Sequence, residues 1–118
     1  PNKLWGDGMP AQDDFLETMA EAAKAVTDHA GDHILYINVA NNLSVDCDCV
    51  AHPAPVQMAD IGIFASLDPV AVDAVKASPD HGKIHLEERM ASRDATHVLD
   101  YAEQLGMGTQ KYVLVTIE

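Results

Sequence analysis

Hydrophobic and polar positions change period several times along this chain, and each change predicts an element. The first segment places Phe15, Met19, Ala22, Ala23 and Val26 at helical spacing, with Asp14 and Glu17 spaced like a capping pair. Gly31 ends that helix. Residues 34–40 are short, β-branched and almost wholly apolar, which predicts a buried strand, and residues 61–67 read the same way. Between them, residues 41–60 hold Asn41, Asn42, Pro53 and Pro55, too polar and too proline-broken for a helix. Asp68-Pro69 then supplies an N-cap followed by proline at the first helical position, and Val70, Ala71, Val72 and Val75 continue a short helix. A break at 79–82 precedes a helical turn or two over 84–90. A clearer helix over 95–105 buries Val98, Leu99, Ala102 and Leu105, with Gly106 as its C′ residue. Residues 112–117 alternate enough to predict a last strand.

This order of elements predicts an α/β fold: a small mixed sheet of about three strands flanked by helices, with a long Cys-containing loop between strands 1 and 2. Residues 1–118 make a single domain of ordinary size, and at 47% hydrophobic the chain has enough apolar matter for a core. Strands 1 and 2 are expected to be parallel, because a tight hairpin would not need twenty residues of connection. Parallel pairing would bring the loop and the Asp68 helix start to one sheet edge, where open α/β sheets bind ligands. Without an initiator Met or a leader, Pro1 reads as a cut end of a longer chain.

Charge narrows the functional classes. The net charge is −12 with seven basic residues, which argues against nucleic acid and against an anionic membrane surface. No apolar run is long enough to span a membrane. No Lys or Arg falls between Ala25 and Val75, while Asp28, Asp32, Asp46, Asp48, Asp60, Asp68 and Asp73 all do. That half of the chain should attract cations, although scattered acidic side chains on helices commonly do no more than keep a surface solvated.

Both cysteines lie in Asp46-Cys47-Asp48-Cys49, with His52 three residues on. Two thiols one residue apart staple nothing, so the composition reads as a reducing, cytoplasmic one. In an extended or turn segment the side chains of i and i+2 share a side, so two thiolates can grip one soft or borderline metal such as zinc or iron. Cys47, Cys49 and His52 with one of Asp46, Asp48 or Asp60 would complete a four-ligand set. Two other readings compete: a redox-active or nucleophilic thiol pair, and a structural loop whose thiols pack as small hydrophobes. The thiol pair is disfavoured because Asp46 and Asp48 raise cysteine pKa values unless a cation neutralises them. The remaining polar residues are weaker candidates. His81 and His85 read as solvated imidazoles, His29 and His33 as partners of helix-end carbonyls, and Asn38, Asn41 and Asn42 as backbone ties. Asp73 is the carboxylate least readily dismissed as solvated. His97, just before the apolar stripe of the last helix, has a smaller claim to a site. No hydrolase triad can be argued around Ser66, and no glycine-rich phosphate loop is present.

Several motifs occur together in a recognisable order. They are Phe15 with Met19-Ala20-Glu21, Tyr36-Ile37-Asn38-Val39, Asp46-Cys47-Asp48-Cys49, Asp60-Ile61-Gly62-Ile63, Ser66 with Asp68-Pro69-Val70-Ala71-Val72-Asp73, and Leu99 to Glu103 with Leu105-Gly106-Met107-Gly108. In this order the chain resembles the C-terminal domain of the uncharacterised iron-sulfur center proteins, the domain-of-unknown-function family DUF362. It departs from that pattern after Asp73, where Ala74-Val75 stands in place of a Gln-Ala pair. The resemblance implies metal or redox association for a parent protein carrying an N-terminal ferredoxin-like segment with two four-iron clusters. It brings no assigned reaction, and none of those cluster cysteine runs is in this sequence.

Residues and resemblance together give the expectation of an accessory C-terminal domain of an iron-sulfur center protein, whose acidic Cys-x-Cys loop binds a metal or contacts a cluster. A four-iron cluster commonly takes four cysteines, so one here would need ligands from another segment or a second chain. The alternatives are a redox or small-molecule enzyme domain completed by an N-terminal part, and a protein interaction module. Whether the chain is an enzyme, and whether it forms an oligomer, is open at this level.

Overall fold

The computed structural model describes residues 8, 10–44, 51–52, 54–56, 58–75 and 83–117. Its elements run α1 (Gln12–Ala30), β1 (Tyr36–Ala40), β2 (Gly62–Ser66), α2 (Pro69–Ala74), α3 (Lys83–Ser92) and α4 (His97–Gln104).

Helix α1 starts two residues before Asp14. Its N-cap is Ala11, which offers no side-chain cap, and Asp13 and Asp14 lie in the first turn, where their charge favours the dipole. The expected Asp14–Glu17 capping pair is therefore not formed. Gly31 ends the helix as the sequence predicts, at φ 54° and with its N–H on the Thr27 carbonyl. The buried face differs from the predicted one by a single residue. Leu16 and Ala20 are buried, whereas Met19, Ala22, Ala23 and Val26 are exposed. One residue is about 100° of helix rotation. Apolar residues lie almost all round α1, so its periodicity does not choose a face; packing against α4 does.

The two strands pair antiparallel, Tyr36 with Ser66, Asn38 with Phe64 and Ala40 with Gly62. This corrects the parallel expectation. The loop-length argument fails because closure cost rises only with the logarithm of length, so a twenty-residue hairpin connection is tolerated. The connection joins the Ala40 and Gly62 ends, and Asp68 sits beyond the opposite end. The strands are also not buried on both faces. Tyr36, Asn38, Phe64 and Ser66 share the face with Ala40, the buried one among them, whereas Ile37 (60% exposed), Val39 and Ile63 (72%) stand on an open face, in phase with Leu35 and Leu67.

The third expected strand is absent from this sheet. Residues 112–117 form no ladder, and among the described residues the sheet has two strands. The small core lies where α1, α2 and α4 meet. Ala20, Val70 and Ala102 pack there with Val98, Tyr101, Leu105 and Met107 around them. No helix among the described residues is long and apolar enough to cross a membrane.

Candidate functional site

The loop between the strands hangs from a tied base. The Ile61 N–H donates to the Ala40 carbonyl at 2.9 Å, and the Asn42 N–H donates to Asp60 Oδ1 at 2.9 Å. Asn42 adopts φ 51°, a left-handed conformation that asparagine tolerates better than most residues. Met58 is buried on the returning arm. Asp60 thus closes the loop through Oδ1. His52 is exposed. The other four expected donors, Asp46, Cys47, Asp48 and Cys49, lie outside the described residues. Among the described residues, no group of three or more His, Cys, Asp or Glu side chains is gathered as a metal would require.

At the far end of the sheet, Asp68 is the N-cap the sequence predicts, and it does more. Its Oδ1 accepts the Ala71 N–H at 2.9 Å, and its Oδ2 accepts the Thr109 N–H, also at 2.9 Å. The Ser66 hydroxyl oxygen accepts the Asp68 N–H at 2.9 Å. Helix α4 ends as expected on Gly106, at φ 74°, with Gly106 N–H on Glu103 and Met107 N–H on Ala102. That turn delivers Gly108 against the Asp68 carboxylate, where a Cβ would lie within 2.7 Å of its carbon and both oxygens. Glu103 completes the latch, accepting the Thr109 hydroxyl at 2.8 Å and the Gln110 N–H at 3.3 Å. The Thr109 hydroxyl chiefly, and the Gln110 bonds after it, hold the Glu103 carboxyl below its ordinary range. The sequence reading missed this latch, although the glycines at 106 and 108 and the Asp68 cap were its visible parts.

Between the two ends, Asn38 on β1 and Asp73 on α2 face each other, with Asn38 Nδ2 donating to Asp73 Oδ1 at a long 3.5 Å. Asp73 as a residue is exposed, yet burial of its carboxylate raises the pKa above the ordinary range. The sequence singled out both side chains separately, and the fold brings them together.

His97 reaches the seam between α1 and α4 rather than a ligand site. Its Nε2 lies 2.9 Å from Glu17 Oε1, and one turn on, the Tyr101 hydroxyl donates to Glu21 at 3.0 Å. The Glu17 hydrogen bond is the main reason the His97 pKa is raised, with Asp13, Glu17 and Asp94 adding charge in the same direction. A raised imidazole pKa contributes stability that is fully present below the unfolded value, near 6.5, and is lost as pH rises through the folded one. Thermal unfolding of the wild type and Glu17→Gln across pH 5 to 8 tests this. The wild-type advantage should be widest at the acid end and shrink above neutrality; a pH-independent gap would rule out the charged pair.

With that geometry in place, comparison with known families is decisive over most of the chain. The profile of the domain of unknown function DUF362 matches residues 2–78. The chain belongs to the DUF362 family. In this DUF362 chain the match takes in α1, β1, the cysteine-bearing connection, β2 and α2, while α3, α4 and the Gly106–Gly108 turn follow it. No curated protein and no solved structure gives a significant match.

Proposed function

We propose that this DUF362 chain is an accessory domain of an iron-sulfur center protein, and that its acidic Cys-x-Cys loop holds a metal ion or lies against a cluster. The observation that carries the reading is the tied base of the loop. The Asn42–Asp60 and Ala40–Ile61 bonds fix both ends of a twenty-residue segment that contains both cysteines, His52 and three aspartates. Tying the ends lowers the entropic cost of gathering donors from within one loop. Zinc or iron fits this donor chemistry, with Cys47 and Cys49 as thiolate ligands and His52 with Asp46, Asp48 or Asp60 completing the set. The surrounding acidity offers a cation no competing Lys or Arg between residues 25 and 75.

The test is elemental analysis of the domain purified without oxygen, alongside the Cys47→Ser, Cys49→Ser double variant. About one zinc or iron per chain in the wild type, lost in the variant, is the expected result. No metal in the wild type, with two freely titrating thiols, would sink autonomous binding by this loop.

A second reading, a small-molecule or redox enzyme domain, is favoured by Asp73, because a carboxylate with a raised pKa beside an amide donor is a recurrent acid/base arrangement. That reading requires activity in a longer chain that Asp73→Asn abolishes while metal content stays unchanged.

A further inference from the structure

A cavity of about 800 Å³ borders the free edge of the sheet, lined by residues 61–66, by Ala71, Val72 and Val75, and by residues 112–117. On the side away from β1, the β2 backbone has no ladder partner among the described residues. Unpaired N–H and C=O groups along such an edge are a template for another strand. Gly62, in the same wall, adopts φ 142°, and nothing lies within 4 Å of the place a Cβ would take. A glycine inside a strand often marks a place where another backbone comes close. The dimensions agree. A strand takes up about 4.8 Å toward its neighbour, about 10 Å between packed layers and about 3.4 Å along each residue, so five residues, the length of β2 itself, fill on the order of 800 Å³.

No charged side chain lines the cavity. Asp60 and Asp73 adjoin lining residues, with Lys111 the basic neighbour among the described residues. The cavity is therefore uncharged inside and, in a chain of net charge −12, acidic around. The geometry points to an extended segment of a separate partner protein as the occupant: a run of about five uncharged, strand-forming residues with basic flanks, which adds to the free edge of β2 while residues 112–117 stay in place as part of the wall. Backbone hydrogen bonds to β2 supply the affinity. The apolar lining selects the side chains of the run, and the acidic surroundings select its flanks. A small apolar molecule would cover the lining and leave the β2 edge groups unpaired, whereas a strand satisfies both.

The test is titration of the intact chain with a fluorescent, end-blocked peptide of alternating threonine and valine between paired lysines, and with the same peptide methylated on its central backbone nitrogens. The expected result is saturable binding of one unmethylated peptide per chain, weakened by salt, with slower amide hydrogen exchange at residues 62–66. Methylation removes the backbone donors and should weaken binding by roughly tenfold or more. Val115→Glu puts a charge into the lining and should weaken it by a similar factor, roughly tenfold. This variant makes the chain more acidic, so its loss of binding cannot come from repulsion of the lysines. Val26→Glu, on the exposed face of α1, should bind like wild type. Because Val115 is 76% exposed, circular dichroism should show Val115→Glu folded. Absence of binding, equal binding of the methylated peptide, or a Val115→Glu chain that binds like wild type would overturn the proposal. So would a wild-type dimer that the peptide dissociates, which assigns the cavity to a second copy, or uptake of a neutral apolar dye that the peptide does not displace, which assigns it to a small molecule.

Discussion

Gly108→Ala should cost about 3 kcal/mol of stability, seen as a drop in unfolding midpoint of roughly 10 °C in a domain of this size. The added Cβ meets all three carboxylate atoms of Asp68, and Asp68 cannot turn aside freely. One oxygen caps α2 through Ala71, and the other holds Thr109. Moving the carboxylate releases both bonds, each of the charged type worth about 1.5 to 3 kcal/mol. Shifting the backbone at 108 instead would disturb the Glu103 bonds to Thr109 and Gln110. A double-mutant cycle separates this clash from a general intolerance of alanine. In an Asp68→Ala background the obstacle is gone, so Gly108→Ala should add less than about 0.5 kcal/mol. Additive losses would mean that Gly108 matters for some reason other than Asp68.

That latch also marks the boundary of what the sequence could reveal. Gly31 and Gly106 as helix stops and Asp68-Pro69 as a helix start were legible, because each is set by backbone chemistry within a few residues. The Asp68–Thr109 bond spans 41 positions and has no local signature. Strand existence was legible from composition, whereas strand direction depended on how the chain returns. Residues 112–117 have the composition of a strand, but a ladder needs a partner edge as well as propensity, and among the described residues they join no sheet. The candidate site divides in the same way. Its residue types were read from one short acidic segment. The role of Asp60 as a loop tie, and the meeting of Asn38 with Asp73, came only from the pairing of β1 with β2 and the packing of α2 on them.

The face of α1 supplies the sharpest remaining test of that packing. Ala20→Glu should cost about 4 kcal/mol or more, enough to unfold much of the population of a marginal domain, because Ala20 is only 2% exposed and packs with Val70 and Ala102. Glutamate is a good helix former, so the loss reports burial and not helix propensity. No cationic partner belongs to the cluster of apolar residues around Ala20, and an uncompensated carboxylate there must either stay neutral or force α1 away from α4. Ala23→Glu, three residues on and exposed, is the matched control and should change stability by less than about 0.5 kcal/mol. Denaturant unfolding of the two variants measures both values. The apolar spacing of Met19, Ala23 and Val26 alone predicts the opposite ranking, with the damage at Ala23. If that ranking were observed, α1 would be turned by about 100° about its axis, and the Glu17–His97 and Glu21–Tyr101 bonds across the seam could not form.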